Sequence, residues 1–429
     1  MRIKRFAVSG FKNFTQEVVL DDLGEICVIH GENNVGKSNL LEAMLLFFQL
    51  LSERSIRRDQ LEETLSSLGF QLRNILNLTQ PVPIILQAVF SVNLIEIQNK
   101  SRELALTPLI RSSGTQLYEV SIKIKIVDPI ETYSIRDVDV QLENSLKTIA
   151  EGQDLIPILK GAVLAAISDV FLLIGTDRRI SFDEAAAYTA REIIPQLLRL
   201  ALFDIKESFE PMIAKRWKLF VKTMSRFNDI LGEGEFVALY NRHANKADLV
   251  FDTGDKRIPV NLLGSGIQQV VALIARLLVS NATFIAIEEP ELNLRYTLQL
   301  RLYEVFKEIV ADPAGANQIF LTSHSPAFEH GEHFYHMHTS EHGITVEKRP
   351  ISLAPMVTGM SVDTVAINKN ASYGYVSTEG LIRIPERIRK ELGTEEGGGV
   401  VFLKRKDNGH VELLTNQQFA NLFESSEDE

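Results

Sequence analysis

The chain holds a single cysteine, Cys27, in 429 residues. One thiol excludes an intramolecular disulfide framework and any multi-cysteine zinc site. Basic residues are not in excess either: 45 Lys and Arg stand against 56 Asp and Glu, a formal net charge of −11. No global electrostatic footprint for nucleic acid follows, although a local basic groove stays open. Long apolar runs are missing. The most apolar stretch, Leu155 to Gly175, is interrupted by Pro157, Lys160 and Asp169, which breaks any clean membrane span of about 20 residues. Arg2, Lys4 and Arg5 near the start are followed by no apolar run of signal-peptide length. A cytoplasmic protein with no membrane partner is expected. No sustained heptad, internal repeat or low-complexity tract is visible, so a long coiled coil is not indicated.

What remains is ordinary globular material, 45% hydrophobic and 24% charged, long enough for about two to three domains. Its most informative stretch is Gly31-Glu-Asn-Asn-Val-Gly-Lys-Ser38. The short apolar run Ile26–Ile29 precedes it, and Asn39–Phe48, of helix-forming composition, follows. A strand, a Gly-bounded loop and a helix N-terminus together aim backbone N–H groups at an anion. Gly31, Asn33, Asn34, Val35, Gly36, Lys37, Ser38 and Asn39 are the expected phosphate-holding residues. Lys37 would reach the terminal phosphates of a nucleotide, and the Ser38 hydroxyl would hold Mg²⁺.

Three further patterns fit that reading. Phe284–Ile287 is an apolar strand ending in Glu288-Glu289-Pro290-Glu291. Adjacent acids repel unless a cation faces them. Glu288 is therefore the expected metal ligand, and Glu289 the group that polarises an attacking water. Leu263-Gly-Ser-Gly-Ile-Gln-Gln269 opens a helix, where the small residues Gly264, Ser265 and Gly266 let a phosphate approach the backbone. Thr322-Ser-His-Ser-Pro326 ends another apolar strand, and His324 there can touch a γ-phosphate or the attacking water. The alternative is a capped loop in which Ser323 or Ser325 starts the next turn.

The order of these four segments resembles the ABC/SMC-type ATPases, above all the branch with RecF and the OLD-like "AAA" ATPases. Gly10-Phe-Lys-Asn-Phe14 and Glu288-Glu-Pro-Glu-Leu292 carry the branch likeness. The resemblance implies an ATPase using ATP and Mg²⁺, with Ser38 and Glu288 at the magnesium, Glu289 as catalytic base and His324 as switch histidine. It also implies that Ser265, Gly266 and Gln268 complete the site of a neighbouring subunit, so that ATP joins two copies head to tail. The signature departs from the usual Leu-Ser-Gly-Gly-Gln, and Glu288 stands where many relatives carry Asp. Gln87 is the candidate for the glutamine loop. Gly380–Leu414 resembles the AbrB/MazE-like swapped-hairpin domain, which implies dimerisation, with DNA as a further partner.

The expected fold is therefore α/β. An ABC-type head would combine a mixed, largely parallel core sheet with an antiparallel sheet (Pro83–Val92 and Tyr118–Val127), plus a helical insertion and a small β-α-β-hairpin end domain. The expected boundaries are 1–150 for the N-terminal lobe, 151–232 for the helical insertion, 233–350 for the C-terminal lobe, 351–370 for a linker, and 371–429 for the end domain with its acidic tail. Ser52–Ser67 reads as surface helix. His330, His333, His336, His338 and His342 cluster in sequence and read as strand or surface residues rather than a metal site. The function so implied is an ATP-driven homodimer or higher oligomer controlling a separately encoded effector, in defence against phage or mobile DNA. The alternatives are a RecF-like DNA-maintenance ATPase and a regulator that reads DNA through its end domain.

Overall fold

The computed structural model describes residues 1–52, 66, 75, 83–126, 136–152, 154–168, 170–176, 211–241, 246–280, 282–328, 334–340, 343–349, 375–376, 382–383, 402–405 and 411–414. The chain divides into two compact units, Met1–Ile351 and Ser352–Glu429.

In the first unit, β1 (Arg2–Ser9) and β2 (Val18–Leu20) form an antiparallel pair. β3 (Ile26–Gly31) leads through the Gly-bounded loop into α1 (Lys37–Ser52). Then come β4 (Ile84–Asn93), α2 (Leu94–Ser101), α3 (Thr107–Ser113), β5 (Leu117–Ile126) and β6 (Arg136–Leu142). α4 (Asn144–Glu151), α5 (Ile156–Ile167), β7 (Phe171–Ile174), α6 (Pro211–Met224) and α7 (Asn228–Leu231) follow. β8 (Glu235–Asn241), β9 (Lys246–Asp252) and β10 (Arg257–Pro259) make a three-stranded antiparallel sheet. The unit continues with α8 (Ser265–Val279), β11 (Phe284–Glu288), α9 (Tyr296–Ala311), β12 (Gln318–Ser323), β13 (Phe334–Ser340) and β14 (Gly343–Arg349).

The sheet that positions the site has the order β14-β13-β3-β12-β11-β7. Its members from β13 to β7 are parallel, and β14 closes one edge antiparallel. Parallel strands are buried on both faces and so read as continuous apolar runs. Here alternate residues divide between two cores. Cys27, Ile29, Phe284, Ala286 and Phe320 face α1 and the antiparallel sheet β2-β1-β4-β5-β6. Val28, Ile285, Ile287, Ile319 and Leu321 face the core that also takes residues of α6, α8 and α9. α1 lies between the two large sheets, which explains why it is apolar nearly all round. β5 alternates wet and buried positions, as Ile122, Ile124 and Ile126 predict. Gln318 bolts the two sheets together from a fully buried position: its Oε1 accepts from Ile3 N–H (2.9 Å), and its Nε2 donates to Ile3 O (2.8 Å) and Gly24 O (2.6 Å).

One expectation is corrected. Residues 151–232 read as helical throughout, but Phe171–Ile174 is the edge strand of the parallel sheet, paired with β11 from Phe171↔Phe284 to Ile174↔Ile287. Four apolar residues are too few to show a period, and neighbouring helices dominate the window. Residues 177–210 of the expected helical insertion lie outside the described residues, as do most of the expected Ser52–Ser67 helix and His330, His333 and His342. Among the described residues no helix is long and apolar enough to cross a membrane.

In the second unit, β15 (Tyr375–Val376) pairs antiparallel with β16 (Ile382–Arg383). β17 (Phe402–Arg405) pairs antiparallel with β18 (Val411–Leu414), in a register running from Phe402↔Leu414 to Arg405↔Val411. The expected linker, 351–370, and the stretch between β16 and β17 where the expected end-domain helix falls lie outside the described residues.

Candidate active site

In a parallel sheet every strand delivers its carboxyl end to one edge, and there the chain leaves backbone groups and side chains around a crevice. Gly31 ends β3, Ser323 ends β12, Glu288 ends β11 and Ile174 ends β7. β12 separates β3 from β11, with Ser323 opposite His30 and Thr322 opposite Glu288. Two strand spacings put the phosphate-loop strand roughly 10 Å from the carboxylate strand, a gap of the right width for a phosphate group and its counter-ion.

The loop's form follows from its residues. Asn34 (φ 64°) and Gly36 (φ 104°) take left-handed conformations, the kind of backbone from which anion-binding nests of N–H groups are built. A Cβ on Gly36 would lie 2.8 Å from Asn13 Nδ2, so side-chain-free backbone is needed there for two reasons. Asn13 belongs to the turn between β1 and β2, and its Oδ1 accepts from Asn39 Nδ2 (2.8 Å). Lys12 of the same turn is ion-paired with Glu42 on α1. The Gly10–Phe14 turn thus braces the loop from outside. The first intrahelical bond of α1 runs from Leu40 N–H to Gly36 O (3.0 Å). The N–H groups of Lys37, Ser38 and Asn39 therefore precede the ladder, at its electropositive end.

Lys37 is 7% exposed. Its Nζ donates to Gly31 O (2.8 Å) and Glu32 O (2.9 Å) and meets His324 Nε2 at 2.9 Å. For the lysine to donate, His324 must carry its proton on Nδ1. The same Nε2 lies 3.5 Å from Glu289 Oε1. Lysine and carboxylate thus meet at one imidazole nitrogen at the edge of the sheet. Burial lowers the Lys37 pKa, and the charges of Glu289 and Glu291 oppose that shift. Glu289 sits at φ 42°, an uncommon conformation for a residue with a Cβ. Its N–H donates to Thr322 O (2.9 Å), which holds the turn against β12.

Glu291 was not singled out from sequence, yet it lies at the centre of this geometry. Its Oε1 accepts from Ser323 Oγ (2.8 Å) and from His324 N–H (2.7 Å). The signal was present in the repeated acids of Glu288-Glu289-Pro290-Glu291, but nothing in a strand-end motif says which acid turns back toward the neighbouring strand.

Ser38 is exposed at the helix mouth and Glu288 is half-buried at the strand end. Both offer hard oxygen donors of the kind Mg²⁺ takes. A Cβ on Gly175 would stand 3.7 Å from Glu288 Oε2, so the glycine after β7 leaves the wall beside that carboxylate open. The donor set fits magnesium.

Ser265, Gly266 and Gln268 make their contacts elsewhere. Gln268 Nε2 donates to Asn261 O (3.1 Å) and Leu263 O (2.7 Å), folding the loop onto the start of α8, and Gly266 packs against Leu298 of α9. Ser265 is exposed. Gln87 lies within β4 and donates to Ser121 Oγ (3.0 Å) across the antiparallel sheet.

His30 lines the buried side of the loop strand, 2% exposed, with its ring edge-on to Phe334 at 4.7 Å. Burial pushes its pKa down to about 3, and the nearby His324, Lys37 and His336 push the same way. His336 and His338 share a face of β13, with rings stacked at 5.6 Å. Among the described residues no group of three or more His, Cys, Asp or Glu side chains could hold a metal ion. Burial drives the Cys27 thiol up to about 12, so it stays protonated.

Residues 1–154 and 179–328 match the AAA ATPase domain family. An ATP/GTP phosphatase of Helicobacter pylori is 21% identical over 362 residues, covering 76% of this chain and 86% of that protein. The chromosome partition protein Smc of a Synechococcus species is 38% identical over 65 residues, which is 15% of this chain and 5% of that much longer protein. Among solved structures, an Smc head bound to the C-terminal winged-helix domain of ScpA superimposes with a TM-score of 0.51 at 14% identity, covering 82% of this chain and 98% of that one. The α/β architecture with mixed and antiparallel sheets is that of an SMC head.

Proposed function

This chain belongs to the AAA ATPase domain family and is an ATPase, and on that premise we propose that the Lys37 loop, the Glu288/Glu289 strand end and His324 form one Mg²⁺-dependent ATP site that a second copy of the chain completes. The observation that carries the reading is the meeting of Lys37 and Glu289 at Nε2 of His324 on a single sheet edge. The triphosphate lies over the N–H groups of the loop and the start of α1. Lys37 exchanges the carbonyls of Gly31 and Glu32 for the terminal phosphate oxygens. His324, released from the lysine, takes the tautomer with its proton on Nε2 and donates it to a γ-phosphate oxygen or to the oxygen of the attacking water, and Glu289 takes a proton from that water. Ser38 and Glu288 hold the magnesium, which when bound neutralises phosphate charge.

The exposed signature loop supports completion in trans. Ser265 faces solvent, and the apolar side chains of Leu262, Leu292 and Tyr296 stand exposed beside it and on the strand-end turn. A head-to-tail pair would cover them and bring Ser265, Gly266 and Gln268 over the partner's triphosphate. We place the protein in the cytoplasm. On the RecF/OLD-like resemblance we add control of a separate effector in anti-phage or anti-mobile-DNA defence, with the second unit as an AbrB-like assembly element.

The test is sizing by light scattering with and without Mg²⁺ and ATP. Glu289→Gln should bind ATP, hydrolyse it at least a hundredfold more slowly, and accumulate the assembled form. Lys37→Met should neither turn over ATP nor assemble, while keeping its thermal stability, because it removes a charge that burial already disfavours. Normal turnover in both variants would overturn the reading.

A further inference from the structure

Glu291 lies one residue beyond the proline of the acidic turn and touches neither the lysine nor the place of the reacting atoms. What it touches is the segment that aims His324. One oxygen, Oε1, receives both the Ser323 hydroxyl (2.8 Å) and the His324 backbone N–H (2.7 Å). The next residue is fixed in the same way: Ser325 Oγ donates to Gln299 Oε1, while Gln299 Nε2 donates back to Leu294 O (2.8 Å) on the acidic turn. Ser325 N–H in turn donates to Ser323 Oγ (2.9 Å). Three consecutive residues, 323 to 325, are thereby fastened to the turn after β11, with the histidine in the middle. The other oxygen of Glu291, Oε2, is buried with no hydrogen-bond partner among the described residues. A carboxylate with one oxygen doubly used and the other unused is a costly way to close a turn, and it is explained if the reach of Oε1 to the histidine segment is what matters.

We propose that Glu291 is a positioning residue for hydrolysis, which holds the His324 segment so that Nε2 of the imidazole faces both Lys37 and Glu289; this rests on the site reading above. A rigid anchor on the backbone fixes where the ring can swing once ATP takes the lysine away. Misplacement of a reacting group by about 1 Å can cost on the order of a hundredfold in rate.

The experiment is steady-state ATP turnover with a separate ATP-binding titration in Glu291→Gln, Glu291→Asp, Glu291→Ala, His324→Ala and the Glu291→Ala/His324→Ala double variant. Gln keeps an acceptor at the same reach, whereas Asp keeps the charge but withdraws by roughly 1.5 Å. The expected result is kcat near wild type for Gln, and kcat lowered about ten- to a hundredfold for Asp and Ala, with ATP affinity changed less than threefold. The double variant should turn over no more slowly than His324→Ala, because a residue that acts through the histidine has nothing left to position. The reverse order, with Asp active and Gln impaired, overturns the proposal, as does the same further loss on adding Glu291→Ala to His324→Ala. If Glu291→Ala fails to fold, the Asp and Gln pair still decides. A His324→Ala enzyme with wild-type kcat sinks the site reading itself, and this inference with it. An impaired His324→Ala beside an unimpaired Glu291→Asp sinks the inference alone.

Discussion

Acid should destabilise this protein through one buried imidazole, and the size of the effect can be worked out. His30 is 2% exposed on the strand that carries the phosphate loop. Its pKa is pushed from an ordinary 6.5 to about 3 by burial, reinforced by His324, Lys37 and His336. The native value lies below the unfolded one, so the unfolded chain takes up a proton first as pH falls. The stability that the neutral imidazole supports is complete above about pH 6.5 and is lost as pH drops toward about 3. At 1.36 kcal/mol per pKa unit, the two values give a loss of about 2 kcal/mol at pH 5 and about 3 kcal/mol at pH 4, with a ceiling near 5 kcal/mol. Urea unfolding at stepped pH measures this directly, provided His30→Asn is run beside wild type. Carboxylates contribute equally to both curves, so the difference in slope isolates His30 whatever the variant's absolute stability. The His30→Asn curve should be flatter by about 2 kcal/mol between pH 7 and pH 5. Parallel curves would refute the reasoning. So would an imidazole resonance that titrates near 6.5, since the burial would then not be excluding the charge.

Two further outcomes test the scaffold around the crevice. Gln318→Leu leaves the Ile3 N–H and C=O and the Gly24 carbonyl without their buried partner, and should cost about 2–4 kcal/mol in the denaturation midpoint; a loss below about 1 kcal/mol would mean the two sheets are not held there. Gly36→Ala places a Cβ against Asn13 at φ 104°, a strain of about 1–3 kcal/mol. It should weaken binding of a fluorescent ATP analogue more than tenfold while leaving the helical circular dichroism unchanged, and unaltered affinity would show that the loop tolerates another backbone path.

The parts of the site legible in the sequence are those whose chemistry requires adjacent residues. Gly31–Ser38 must be contiguous because a phosphate is gripped by successive N–H groups. The apolar runs at 26–29, 284–287 and 318–322 stood out because strands buried on both faces have no wet positions to interrupt them. β7 escaped notice for the opposite reason: four apolar residues between a proline-opened helix and Gly175 carry no period of their own. Their strand character comes from β11, which supplies the pairing. Of the histidines at 330–342, the two among the described residues, His336 and His338, share a face of β13, and His336 pairs with His30 of the neighbouring parallel strand.

Glu291 marks the limit of that kind of reading. A turn motif states which residues follow one another, and says little about which carboxylate bends back to the next strand. β12 lies between β3 and β11, so the segment carrying His324 emerges between the lysine loop and the acidic turn, where Glu291 meets it. The left-handed Glu289 is what sends the chain that way. One backbone conformation thus serves both acids, presenting Glu289 to the histidine ring and Glu291 to the histidine backbone. The proposed catalytic base and the proposed positioning acid are set by the same turn, so a substitution that relaxed φ at Glu289 would disturb both at once, and its effect on turnover should exceed that of losing either carboxylate's reach alone.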